Sequence, residues 1–242
     1  MIWLAVAALI WIGAHVGIAG SGLRRALAYR LEETGFRGAF SLLSFLAIAF
    51  LIASFSQAPL VPLWVAPDWL RWALVAVMLA AFLLFATAVL ARNPTAIGGD
   101  AALRQEPRGI VRVTRHPMLW SFALWAAMHV LGNGDAASLL FFGAFLLTAL
   151  AGMPSIDAKV ARRDPEGWRH FAAATSILPF GAIASGRNRF APAEIGWAPV
   201  ALGAALWAVL LLGAPPDFRP ERAAERLGPR EGHGDCGARA PV

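Results

Sequence analysis

The sequence predicts an all-α, polytopic transmembrane bundle of about six helices, and three observations carry that prediction. Of its 242 residues 58% are hydrophobic and only 15% are charged. The apolar residues fall in long blocks, such as Trp72 to Leu90, that contain no charge over a helix-spanning length. The joints between the blocks are rich in arginine. This pattern is that of a chain whose solvent is largely a lipid bilayer.

With about 20 apolar residues taken as one span, helices are expected over 2–20, 38–56, 69–91, 117–133, 137–153 and 196–213. The first lacks a charged leading region and is followed by Arg24-Arg25 rather than a small-residue cleavage site, so it reads as a retained helix. The fourth opens at His116-Pro117, where the missing N–H of proline does no harm in the first turn. Only Gly132-Asn133-Gly134-Asp135 separates the short fourth and fifth helices, and these turn-formers predict an antiparallel hairpin. Beyond the sixth helix, residues 214–242 mix Pro, Gly, Arg and Glu with few apolar residues, a composition expected to stay disordered. The expected organisation is one membrane domain, 1–213, and a tail.

Basic residues set the expected orientation, since short cytoplasmic loops retain Arg and Lys. The first joint holds Arg24, Arg25, Arg30 and Arg37; the third holds Arg92, Arg104, Arg108, Arg112 and Arg115; the fifth holds Lys159, Arg162, Arg163, Arg169, Arg187 and Arg189. The N-terminus is therefore expected outside, with the arginine-rich loops cytoplasmic. Six crossings put the C-terminus outside as well, against the preference of the five arginines in the tail. The net charge of +6 is explained by orientation and anionic lipid, without a nucleic-acid partner. The single cysteine, Cys236, excludes an intramolecular disulfide and a cysteine metal cluster. No P-loop, dinucleotide-binding glycine fingerprint or nucleophile elbow is present.

Chemistry falls to histidine, because an ionisable residue inside a membrane span is costly enough to suggest function. His15 lies in the first helix with Trp11 and Ile18 on its own face, opposite Gly13, Gly17 and Gly20. His129 shares its face with Met118, Phe122, Trp125, Ala126 and Asn133. Two imidazoles between apolar walls suit a haem pocket that needs no cysteine. His116 stands 13 residues before His129, about 19 Å along a helix, so one iron cannot take both. Helix depth leaves open which of the two would partner His15.

Several separated motifs resemble the NnrU family of bacterial integral membrane proteins, which is similar to the plant and bacterial zeta-carotene isomerases. They are Ala14-His15 with Ser21 and Leu23-Arg24; Gly109-Ile-Val-Arg-Val-Thr-Arg-His-Pro117; Leu124-Trp125 with His129 and Gly132-Asn133; and Thr175-Ser176-Ile177 with Pro179-Phe180. The resemblance implies haem b held between two histidines, which here are His15 and His129. It also implies either denitrification and nitric oxide metabolism or isomerisation of a lipophilic substrate. The isomerases carry a cysteine three residues before the second histidine, implicated in ligand exchange; here that place is Ala126.

The Arg-His-Pro element also resembles isoprenylcysteine and phospholipid methyltransferases, whose order is imitated by Asp157, Gly167-Trp168, Phe171 and Pro179. Three readings follow. In the first, the protein of a bacterial inner membrane binds haem b through His15 and His129, with a small gaseous or lipophilic ligand. Arg112, Arg115 and Arg24 would pair with the propionates from the cytoplasmic side, because guanidinium suits bidentate carboxylate contacts. His116 serves there as helix start, propionate partner or hydrogen-bond donor to a ligand. In the second reading the Arg-His-Pro loop holds S-adenosylmethionine, and in the third the chain is a non-catalytic assembly or regulatory component.

Overall fold

Nearly every helix in this chain forms for the reason given by its hydropathy, and the joints between them are more helical than their charge suggests. The structure, a computed structural model, describes residues 1–91, 93, 95 and 103–213. Arg92 of the third joint and the tail 214–242, with Cys236, lie outside the described residues. In chain order the elements are α1 (Ile2–Ile12) continued by a π-helical turn (Gly13–Ile18), α2 (Leu23–Ser56), α3 (Asp68–Leu90), α4 (Ile110–Val113) and α5 (Pro117–Asn133). There follow α6 (Ala136–Arg163), α7 (Pro165–Ala174), α8 (Gly181–Ala184), a 3-10 turn (Pro192–Glu194) and α9 (Trp197–Gly213). Among the described residues the sole β pairing is an isolated bridge between Pro62 and Asp135.

Three helices, α2, α3 and α6, are long and apolar enough to cross a bilayer, and Ile2–Ile18 and α9 are shorter apolar helices. The 17 residues of α5 rise about 26 Å, slightly less than the ~30 Å hydrocarbon core. Large apolar side chains on the outer faces, among them Leu42, Phe45 and Trp69, are exposed, as lipid contact requires. The chain is a membrane protein by this architecture.

Two helices are longer than predicted. α2 begins at Leu23 rather than near residue 38, because Glu33 accepts hydrogen bonds from Arg24 (2.6 Å) and from Arg37 one turn on (3.0 Å), which lets the charged stretch wind up. A break at Glu32 (φ 60°, ψ 160°) separates it from the apolar run. α6 continues ten residues past the expected end at 153, through Pro154, to Arg163. Proline removes one donor without ending a helix that is packed in the membrane, and the extension buries Asp157 and Val160 in the joint.

The predicted hairpin of α5 and α6 is present. Gly134 ends α5 in the left-handed region (φ 66°), and the Asp135 carboxylate accepts from Ser138 N to start α6. An added Cβ at Gly134 would lie 2.1 Å from Trp64 O, so this position needs glycine twice over. The extended segment before α3 clamps the turn: Leu63 N and Trp64 N donate to Gly134 O, Ala136 N donates to Val61 O, and the Trp64 indole donates to Leu131 O.

In the bundle, α6 packs on both α1 and α5, α1 also on α2, and α3 on both α5 and α9. One core, with Leu4, Ala7, Leu51, Ala126, Phe141 and Phe142, joins α1, α2, α5 and α6. A second, with Leu103, Ile110, Val111, Val113, Val160 and Phe171, consolidates the third and fifth joints.

Candidate functional site

The two intramembrane histidines are built alike. His15 Nδ1 lies 2.9 Å from Trp11 O, and His129 Nδ1 lies 2.8 Å from Trp125 O. A carbonyl can only accept, so in both rings Nδ1 carries the proton and Nε2 keeps the lone pair that a metal uses. The chain thus repeats Trp-x-x-x-His, each imidazole tied to the carbonyl of a tryptophan one turn back. The rings touch as well: Trp11 to His15 at 4.0 Å and Trp125 to His129 at 5.2 Å between centroids. His15 occupies the π-helical turn, a local widening of the helix that often marks functional sites.

Helix register decides how the two relate. Trp11 meets Phe145 (4.9 Å), and nine residues further on Gly20 O accepts from Ser155 Oγ ten residues beyond Phe145, so α1 and α6 run in the same direction. Trp125 meets Phe145 (5.4 Å) whereas His129 stacks on Phe142 (4.5 Å), so α5 runs the opposite way. Helical side chains lean toward their own N-terminus, and on antiparallel α1 and α5 the imidazoles therefore lean toward each other's level. Among the described residues no ring contact or hydrogen bond joins them. Trp11, Phe145 and Trp125 stand between as one aromatic layer. The donors suit haem in ligand type and tautomer, while this layer occupies the space between the two rings.

The arginines are engaged elsewhere. Arg112 clamps Glu194 through Nε (2.8 Å) and Nη2 (3.1 Å) and reaches Asn188 through Nη1. That clamp, first, and the Gly109 N–H, second, hold the Glu194 carboxyl down at about 2. Arg115 Nε donates to Asp157 Oδ2 (3.0 Å), and His116 Nε2 sits 2.7 Å from Asp157 Oδ1. The imidazole of His116 is 1% exposed and serves the joint, not the membrane interior. Arg24 pairs with Glu33 and lies over the Phe36 ring at 5.2 Å. The structure therefore brings Arg115 and His116 together on Asp157 and keeps Arg112 and Arg24 in separate pairs. The partners Glu194 and Thr175 were missed as such by sequence reasoning, since no local pattern links residue 112 to residue 194. Asp157 was visible only as part of a methyltransferase-like order.

Beside His129 a cavity of about 260 Å³ opens between α3, α5 and α9, lined by Met78, Phe82, Met128, Asn133 and Trp207 among others. It adjoins a second of about 250 Å³ with which it shares Met78, Phe82 and Leu210. A larger cavity of about 510 Å³ at the joint is lined by Glu106, Arg108, Gly109, Phe171 and Glu194, and neither Arg115 nor His116 reaches it.

Comparison with known proteins adds ancestry to this geometry. The sequence model of the family described as NnrU protein matches residues 3–215. Similar proteins include the chloroplastic 15-cis-zeta-carotene isomerase of Zea mays, 30% identical over 81 residues, and that of Arabidopsis thaliana, 32% identical over 80 residues. These matches cover 34% and 33% of this chain and 22% of each relative, so the chain spans about a fifth of their length. No solved structure matches.

Proposed function

Because the chain belongs to the NnrU protein family, we propose that it is a membrane haem b protein acting on a lipophilic substrate. His15 and His129 would hold the haem through their Nε2 atoms, and isomerisation of a double bond is the chemistry favoured by the named relatives. The observation that carries this reading is the repeated Trp-x-x-x-His arrangement, which leaves both Nε2 lone pairs free inside an apolar bundle. Haem, when bound, supplies a redox-active iron able to polarise a small or unsaturated ligand. The chain's own residues hold the imidazole tautomers, exclude water with the Trp11, Phe145 and Trp125 layer, and open His129 toward the α3/α5/α9 cavities.

With His15 and His129 as its holders, the haem would supply an electron-transfer centre without any change at either residue. The thiolate exchange implied for the isomerases has no counterpart, because Ala126 is fully buried in the core and carries no sulfur. On this reading the protein sits in a bacterial inner membrane with its N-terminus outside and its arginine-rich joints cytoplasmic. The test is the absorption spectrum of protein purified and reconstituted with haem. A Soret band that is lost or displaced in His15→Ala and His129→Ala supports the assignment. Absence of the band, or a band indifferent to both substitutions, removes it in favour of a non-catalytic role.

A further inference from the structure

A cation drawn out of water needs an anion beside it. Arg112 and Arg115, whose side chains are largely withdrawn from solvent, each hold a carboxylate. Lys159, the chain's only lysine, is also partly buried, yet among the described residues neither it nor Arg162 makes a hydrogen bond or ion pair. Its neighbours one turn away on α6 are Ser155, Ile156, Arg162 and Arg163, so its own helix offers it no carboxylate. Asp157, two residues earlier, is taken by Arg115 and His116.

A third cation is brought to the same place by the packing. Ser155 Oγ donates to Gly20 O (3.2 Å), which ties α6 to the end of the first apolar helix. One turn beyond Ser155 is Lys159, and four residues beyond Gly20 is Arg24, in the opening turn of α2. The charges of Arg24 and Arg162 accordingly both act on the Lys159 ammonium. Arg24 spends Nη2 on Glu33 Oε1, and that one oxygen also accepts from Arg37. Nε and Nη1 of Arg24 are left uncommitted, and three cations meet where the nearest carboxylate is already shared.

Depth along α6 identifies the anion that belongs there. From Ala136, beside the hairpin turn, to Lys159 the helix rises about 35 Å. The hydrocarbon core takes ~30 Å of this, which sets Lys159 about 5 Å beyond it, in the layer of lipid headgroups.

We propose that Lys159, Arg162 and the free N–H groups of Arg24 form a binding site for the headgroup phosphate of an anionic phospholipid. Guanidinium meets phosphate through a fork of N–H groups, and the ammonium meets it as a point charge. The headgroup must carry net negative charge, because a zwitterionic one would bring a further cation to a place that already holds three. The site is independent of what the two intramembrane histidines hold.

The experiment uses the full chain in bicelles, its amines dimethylated with carbon-13 formaldehyde and borohydride. A dimethylated lysine keeps its charge and one N–H. With a single lysine in the chain, the spectrum holds one side-chain resonance besides that of the N-terminal amine. Replacing phosphatidylcholine stepwise by phosphatidylglycerol at constant total lipid is expected to move the Lys159 resonance along a saturating curve. Arg162→Gln and Arg24→Gln are each expected to raise the half-saturating lipid fraction by about two- to fivefold, the worth of one partly solvated charge at a membrane surface. Native mass spectrometry of the unmethylated chain is expected to show one fewer retained phosphatidylglycerol in Lys159→Gln. A resonance that phosphatidylglycerol leaves in place overturns the proposal, as does a linear drift without saturation or a half-saturating fraction unchanged in both arginine variants. Inorganic phosphate that moves the resonance equally well in pure phosphatidylcholine bicelles overturns the lipid as ligand. Equal lipid retention by Lys159→Gln and the wild type overturns the site by a route that methylation does not touch.

Discussion

Replacing Asp157 by alanine strips the carboxylate from a joint in which two nitrogen donors depend on it. Arg115 Nε (3.0 Å) and His116 Nε2 (2.7 Å) each take one oxygen, and the Arg115 and Asp157 side chains are only 12% and 11% exposed. Removing one partner of a buried pair costs about 3–5 kcal/mol, most of it from the cation left behind. Arg115 Nη1 keeps its contacts with Thr175 O (3.2 Å) and Oγ1 (3.3 Å), so the lower end, about 3 kcal/mol, is expected. Asp157→Asn keeps the shape and one acceptor but turns an amide N–H toward a donor, which should cost about 1–3 kcal/mol. The assay is denaturant-driven unfolding in bicelles, followed by the fluorescence of Trp168, whose ring lies 5.2 Å from the Arg115 guanidinium. A double-mutant cycle with Arg115→Ala isolates the pair. A loss below about 1 kcal/mol for Asp157→Ala would place the pair with solvated surface bridges and refute the argument.

Gly134→Ala forces an L side chain into the left-handed region at about 1–2 kcal/mol and onto Trp64 O. Hydrogen exchange at the Leu63 and Trp64 amides should accelerate as the clamp opens. Gly203→Leu sets a side chain against Leu83 Cα and Phe82 O, each 2.9 Å from the new Cβ. Overpacking of about 1–3 kcal/mol should part α9 from α3, measurable by cross-linking between them. Glu194, held down to about 2, should contribute its clamp fully above the ordinary value of 4.5 and lose it as pH falls toward 2. Thermal unfolding of Glu194→Gln should therefore depend less on pH across that window than the wild type. On the proposed orientation, a cysteine at Arg187 in a Cys236→Ser background is labelled from the cytoplasmic side only, and one at Leu60 from the outer side only.

The helices were legible because each apolar block has one solvent, lipid, and periodicity within it hardly matters. α3, α5 and α9 lie within two residues of their expected bounds. The turn Gly132-Asn133-Gly134-Asp135 was legible for a local reason too, since φ at Gly134 is a property of one residue. Leu23 to Arg37 was misjudged because charge was counted without its pairing, and Glu33 gathers two of those arginines. Beyond 153 the reach of α6 depends on what Asp157 finds across the joint, a contact 41 residues away along the chain from His116. His15 and His129 could be picked out singly by their cost in a membrane. Their common hydrogen bond, the π-helical turn and the unpartnered Trp11 N–H exist only in three dimensions.

Phe145 touches both tryptophans, Trp11 at 4.9 Å and Trp125 at 5.4 Å, and each of these steadies one imidazole. A single ring on α6 is thus a shared bearing for two otherwise separate mountings. Any rotation of α6 about its axis is communicated to both histidines together, so they would respond to one displacement as a unit rather than as two independent groups.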